Sequence, residues 1–283
     1  MFKFLPTIFF IFISLTTCTQ SAKINGPTAY NFNAPEVTKM PADLNEISGI
    51  AFNNGNPDTI FAEQDEDGRL FYFSSANINV KNVKFGKRGD YEDIAINNRI
   101  VYMLRSDGKL FSFPLDNIYT NDEENVQEFK DLLPKGEYEA MYADGLHNYL
   151  YVLCKSCNDD DATKSISGYV LKIGNAEVDS VEKTFQINTR DIAKLLNEKK
   201  IDFKPSAMAF NQFTNEWYVL SSVNKLLVIT DQQWKVKEAI KLDPQLFTQP
   251  EGIAFDKEQA LYISNERGIL ESATILKFAL SKK

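Results

Sequence analysis

Five short segments of the chain are variants of one another, and their spacing constrains the fold more than any other feature. They are "SGIAF" from Ser48, "EDIAI" from Glu92, "EAMYA" from Glu139, "SAMAF" from Ser206 and "EGIAF" from Glu251. Successive starts lie 44, 47, 67 and 45 residues apart. Three of these four intervals match the length of one four-stranded propeller blade. Within each segment large and small residues alternate, as in a strand buried on both faces.

A second apolar run follows each segment: "TIFAEQD", "IVYMLRSDG", "LYVLCK", "WYVLSS" and "LYISNE". A third then appears as "RLFYFS", "KLFSFP", "GYVLKI", "KLLVIT" and "ILKFAL". Turn clusters such as "NNGNPD", "EDGR" and "SDGK" separate them, so each repeat reads as a β-meander. The long third interval is assigned to two insertions, an acidic loop from Cys154 to about Lys164 and "NTRDIAKLLNEKK" from Asn188. In the second insertion Ile192, Leu195 and Leu196 fall at helical spacing behind an Asn188 or Thr189 cap.

One such repeat cannot bury both of its faces, so the repeats must stack around an axis. The expected fold is all-β, a five-bladed β-propeller closed by an N-terminal strand, with a short helical insertion in the third blade. The last repeat has room for three strands, and "TAYNFNAPEVTKM" is the segment expected to supply the fourth. A single domain over 28–283 follows, with repeats starting near 44, 91, 138, 204 and 249. Composition agrees: 43% hydrophobic and 25% charged residues suit a substantial core.

The opening "MFKFLPTIFFIFISLTTC" has one early Lys, an apolar run from Leu5 to Leu15 and a short polar stretch before Cys18. It reads as a secretory signal over 1–17, too short for a spanning helix, with 18–27 as a tether. The ending "LTTC" resembles the lipobox of bacterial lipoproteins, which makes Cys18 the lipidation site. A plain cleaved signal is the alternative. The expected location is the cell envelope, anchored to a membrane by lipid and facing the periplasm or the cell surface. A net charge of −8 offers no footprint for a phosphate backbone, so nucleic acid is excluded as a partner. A monomer is expected.

Cys154 and Cys157 form "CKSC", read as a short-range disulfide or as two free thiols. His147, the single histidine, falls in the turn "DGLHN", which leaves neither a tetrahedral zinc site nor a convincing catalytic triad within the chain. "NDEEN" at Asn121 and "NDDD" at Asn158 lack EF-hand spacing and read as solvated loops.

The ordered set "LNEISGIAF", "IFAEQDEDGRLFYF", "GDYEDIAI", "YEAMYA", "QPEGIAF" and "LYISNE" resembles the SdiA-regulated (YjiK-like) proteins, distant relatives of NHL-repeat propellers. The resemblance spans roughly Asp43 to Leu280. It implies a five-bladed propeller with a calcium ion in a shared site, and no established activity. The family-like glutamates fall at Glu92, Glu139 and Glu251. Ser206 departs from the pattern, and Ser48 does so with Glu46 just before it.

Strand parity puts Glu251 with Ile253 and Phe255, and Glu92 with Ile94 and Ile96, at the start of the buried face near the channel mouth. The second strand runs back antiparallel, which returns Glu63 to Asp65, Arg105, Lys155, Ser221 to Asn224, and Asn265 to Glu266 to the same rim. Converging carboxylates repel, so three answers are open: a metal ion, a basic neighbour, or water. Calcium, with its six to eight oxygen ligands, would be held by Glu92, Glu139, Glu251 and Glu266. The ion-pair alternative joins Arg105 to Glu92 and Lys155 to Glu139.

Two functions remain. The first is a calcium-binding propeller acting as a scaffold for an unknown small ligand or protein. The second is a calcium-dependent hydrolase of phosphoesters or lactones, in which Arg105 and Lys155 grip an anionic substrate.

Overall fold

The computed structural model of the chain describes residues 29–120, 125–174 and 176–281. Cys18, the signal and the tether lie outside them, as does most of "NDEEN". Among the described residues no helix is long and apolar enough to cross a membrane.

After β1 (Glu36–Lys39), four consecutive meanders follow. The first contains β2 (Ile47–Ala51), β3 (Thr59–Gln64), β4 (Arg69–Ser74) and β5 (Asn77–Lys84). The second contains β6 (Tyr91–Asn97), β7 (Ile100–Arg105), β8 (Leu110–Pro114) and β9 (Gln127–Phe129), with the single turn α1 (Asn117–Thr120) before β9. The third contains β10 (Gly136–Asp144), β11 (Tyr149–Cys157), β12 (Ser165–Gly174) and β13 (Glu177–Asn188), and is followed by α2 (Thr189–Leu195). The fourth contains β14 (Ala207–Asn211), β15 (Glu216–Ser221), β16 (Leu226–Thr230) and β17 (Val236–Lys241). Then β18 (Pro250–Phe255), β19 (Leu261–Asn265) and β20 (Thr274–Phe278) pair in order, and β1 lies antiparallel to β20 with Glu36 opposite Lys277. The result is an all-β, five-bladed propeller.

Five hydrophobic clusters fill the five gaps between neighbouring blades. The alternation of large and small residues explains how. Ile94 of β6 packs towards the first blade with Phe61 and Leu70, whereas Ala95 faces the third with Leu150 and Val152. Met208 of β14 faces the third blade and Ala209 the fifth. Ile50 packs against Tyr262 and Ile275, so the first and fifth blades share a core as the others do. In four of the blades the large side chain reaches back to the preceding blade and the alanine leaves room for the next one; in the third, Tyr142 takes the place of that alanine and packs forward on Trp217 of the fourth blade.

Near the axis the inner strands approach too closely for side chains. A Cβ on Gly49 would lie 2.4 Å from Asp93 Oδ1 and 2.7 Å from Ile94 N, and one on Gly252 would lie 2.5 Å from the Ser48 carbonyl oxygen. Gly49, Asp93, Ala140, Ala207 and Gly252 occupy equivalent positions in the five repeats. Asp93 is the one large member of that ring.

Both insertions lengthen the third interval: fourteen residues separate the paired Leu153 and Gly168, against five between Leu104 and Leu110 in the second blade, and the rest of the excess follows β13. The extra residues extend β12 and β13 to ten and twelve residues, and the rest form α2 and the segment after it. The loop itself is short, with Asp160 accepting from the Ser167 amide and hydroxyl at 2.8 and 2.6 Å. The helix lies after β13 rather than within the sheet, and the Asn188 side chain caps it by accepting from Arg190 N at 3.0 Å. Ile192 and Ala193 face the core, while Leu195 is exposed, contrary to its expected place on the apolar stripe.

Candidate metal centre

The glutamates of the repeat do not sit in plain strand. At β6 the register passes from Tyr91 opposite Arg105 to Asp93 opposite Leu104, which leaves Glu92 as an extra residue. The same happens at Glu139, between Tyr138 opposite Cys154 and Ala140 opposite Leu153. Glu251 repeats it between Pro250 opposite Asn265 and Gly252 opposite Ser264. All three are β-bulge residues, and a bulge breaks the two-residue alternation and re-aims the side chain. The parity that placed Glu251 with Ile253 therefore fails at these positions. A bulge is invisible in sequence spacing because it depends on the partner strand.

Glu92 of the second blade and Glu266 of the fifth each feel the charge of Asp65, from the first blade, and of Glu251. Burial first, then Asp90, Glu251 and Asp65, push the Glu92 carboxyl up to about 9, against the opposing pull of Lys155. Burial followed by Glu251, Asp65 and Glu46 pushes Glu266 up to about 8. Asp65 rises to about 6 through burial and its neighbours Glu46 and Glu66. Glu251 is raised by burial although Ser222 donates to it and Lys155 and Lys225 lie nearby. Removing charge from water while crowding like charges disfavours ionisation at each group.

Two bases partly answer this charge. Lys155 is paired with Glu139 and lies 3.3 Å from Glu137 Oε1. Lys225 Nζ donates to the Thr248 carbonyl at 2.5 Å. Arg105 does not meet Glu92. Its guanidinium forms a two-pronged pair with Asp107, at 2.9 and 2.5 Å, so that half of the expected ion-pair ring is absent. Asp107 is two residues away across the β7–β8 turn, so its pairing requires no long-range ordering.

Where the repeat lacks a glutamate, other groups serve. Ser206 Oγ donates to the Pro250 carbonyl at 2.8 Å and accepts from Ser222 N. In the first blade Glu63, fully buried, accepts from Gly49 N at 2.6 Å with Oε1. Its Oε2 is buried without a partner, as are Asp65 Oδ1 and Asn265 Oδ1. Asp93 accepts from Ile94 N at 2.8 Å and, across to the third blade, from Met141 N at 2.6 Å.

The sequence placed Glu63 and Asp65 at the rim without naming them as ligands, and it singled out neither Asp93 nor Lys225. Asp93 did carry a signal, an acid where the other repeats have glycine or alanine. Cys154 and Cys157 are joined by a disulfide with Cα atoms 6.0 Å apart, which brackets Lys155. His147 bonds Asp144 at 2.7 Å in the turn after β10, at the other end of the channel.

A cation fits the donors present. All are oxygens, the ligands hard divalent ions prefer, and three buried oxygens lack partners. The carboxylates are distributed around the axis, since among the described residues no three of them bring an oxygen within 4.8 Å of the other two. Water must therefore complete the shell of any ion on the axis.

Residues 173–269 match the SdiA-regulated family model. The SdiA-regulated match spans the fourth repeat and most of the fifth, including Glu251 and Glu266, and stops short of Glu92 and Glu139. No curated protein matches the chain in sequence. The crystal structure of Myxococcus xanthus glutaminyl cyclase is similar in fold, with a TM-score of 0.56, 13% identity, and coverage of 87% of this chain and 94% of that one. The structure of a luciferin-regenerating enzyme has a TM-score of 0.54 and 10% identity, covering 87% and 95%. At these identities the likeness concerns the propeller alone.

Proposed function

We propose that the chain is an exported, lipid-tethered propeller that holds a calcium ion at the carboxylate rim of its channel and serves as a binding scaffold. The observation that carries this reading is the meeting of Glu92, Glu251, Glu266 and Asp65 at one rim, where two nearby lysines face a larger number of acids. Bound calcium supplies the positive charge that lets these groups ionise together. Asp65, Glu92, Glu251 and Glu266 are the residues that would hold it, no more than two of them directly and the others through water, while Glu139 is engaged by Lys155. The hydrolase alternative lacks comparable support. Both bases it would use to grip an anion are committed to carboxylates, Arg105 to Asp107 and Lys155 to Glu139.

Thermal melting in calcium and in chelator tests the proposal. The native chain is expected to melt higher in calcium. Glu251→Gln should gain less from the ion, yet melt above the native chain in chelator, because one repelling charge is gone. Identical melting for both chains in both conditions would remove the metal. Tethering rests on the leader and Cys18. Cys18→Ser is expected to move the chain from the membrane fraction to the soluble fraction, and retention in the membrane would exclude the lipid anchor.

A further inference from the structure

The residue directly after each repeat segment is Asn or Asp: Asn53, Asn97, Asp144, Asn211 and Asp256. It leads into the turn to the second strand, at the end of the channel away from the carboxylate rim. Asp144 accepts from Leu146 N at 2.9 Å and Asn211 from Phe213 N at 2.9 Å, so the residue two places on is held at the tip of a tied turn. The corresponding tips of the five repeats are Gly55, Arg99, Leu146, Phe213 and Glu258. Leu146 is 85% exposed and Phe213 60%. Their strands are neighbours, with the rings of Tyr142 and Phe210 below them 6.4 Å apart. Single exposed apolar side chains are common on any surface. Two at equivalent positions of adjacent blades, on turns tied in the same way, form a paired apolar projection.

The chain enters the propeller beside this pair. Tyr30 pairs with Leu280 at the same end, and its hydroxyl donates to the Gln259 carbonyl at 2.8 Å and accepts from Asn211 Nδ2 at 3.2 Å. Asn211 therefore joins the first described residues to the Phe213 turn. Cys18 precedes Ala29 by eleven residues, which reach at most about 40 Å in full extension. A lipid on Cys18 would keep this end of the propeller near the membrane, whereas turning the carboxylate rim towards it would require the tether to run back along the depth of a blade. The rim exposes apolar residues of its own, Val223 and Ile269, but on the loops after Ser222 and Glu266, among acids that oppose approach to an anionic lipid surface.

We propose that Leu146 and Phe213 insert into the membrane surface that the tether holds nearby, so that the propeller stands on the tips of its third and fourth blades with the carboxylate rim turned to the aqueous side. The inference rests on the lipid-tether reading and not on the cation. Anchor and side chains act together, since the anchor supplies a high local concentration for a contact too small to hold by itself. The other tips are Gly55, Arg99 paired with Asp116, and Glu258, which form no basic cluster, so anionic lipid is not required.

The test uses the full chain, extracted from its membrane and reconstituted into phosphatidylcholine vesicles. It carries a nitrobenzoxadiazole dye on His147→Cys, next to Leu146, or on Val223→Cys at the opposite rim. Cys154 and Cys157 are bonded to each other and do not compete for the label. Vesicles should shift the dye at His147→Cys to the blue and brighten it several-fold, and leave the dye at Val223→Cys at its aqueous emission. Adding Leu146→Ser and Phe213→Ser should abolish the first shift with melting unchanged, because both side chains are exposed. A silent dye at His147→Cys, an equal shift at Val223→Cys, or a shift that survives both substitutions would overturn the proposal. So would a shift seen only in native membranes with their proteins, which would assign the tips to a protein partner. If Cys18→Ser releases the chain while the dye at His147→Cys is silent in the anchored one, only this surface is lost. If Cys18→Ser stays with the membrane and the dyes respond as expected, the lipid anchor is lost and the surface stands.

Discussion

In chelator the melting temperature of the chain is expected to fall as the pH rises from about 5 to about 9, and calcium should remove most of that fall. The cause is the rim. Glu92 is pushed up to about 9, Glu266 to about 8 and Asp65 to about 6, in each case chiefly by burial and then by neighbouring acids. These pKa values lie above those of the unfolded chain, so between the two the folded protein holds protons that the unfolded chain has released. Stability is therefore fullest below the unfolded carboxylate range and is lost as pH climbs towards the folded values. A tenfold change in proton affinity at each of three groups amounts to about 4 kcal/mol, or about 10 °C in a domain of this size. A bound divalent ion takes over from the protons and flattens the dependence. Calorimetry across that range, with and without calcium, decides the matter. A flat or rising profile in chelator would mean that the rim is already neutralised.

Asp93→Ala is expected to destabilise the fold by about 3 kcal/mol with or without calcium. Its two oxygens satisfy amides from the second and third blades at the axis, and its removal leaves two buried N–H groups without acceptors. Part of that cost is offset because the buried carboxyl, itself raised far above its ordinary range by desolvation, is gone. Urea unfolding measures the loss, and hydrogen exchange at Ile94 and Met141 should accelerate more than at outer-strand amides. A loss below about 0.5 kcal/mol, the range of neutral surface changes, would sink the assignment. Asp107→Ala, on the exposed β7–β8 turn, is the control.

The blades were legible because their signals are local. Four of the inner strands carry their own alternation of Ile or Met with Ala, and the compact apolar runs coincide to within a residue or two with the second strands β3, β15 and β19 and the third strands β4, β8, β16 and β20. The outer strands β5, β9, β13 and β17 were not, since one face of each is solvated. The twelve residues of β13, for example, are mostly exposed and include Asp179, Ser180, Glu182 and Lys183.

The repeat of Glu92, Glu139 and Glu251 was readable, and so was the return of Lys155 and Glu266 to their rim. What answers each charge was not. Lys155 meets Glu139 as one expectation held, but Arg105 is captured by Asp107 in its own turn. Glu63 and Asp93 became site residues only because Gly49 and the Met141 amide approach them from other strands.

The amino-acid order by itself determined the number of blades and the face presented by each inner residue beyond the bulged glutamates, because strand periodicity and repeat length are properties of the local chain. The tertiary structure alone decided where the glutamates point, and that Lys155 meets Glu139 while Arg105 does not meet Glu92. Bulges arise from the register between two strands, and charge pairing depends on groups brought together from different blades.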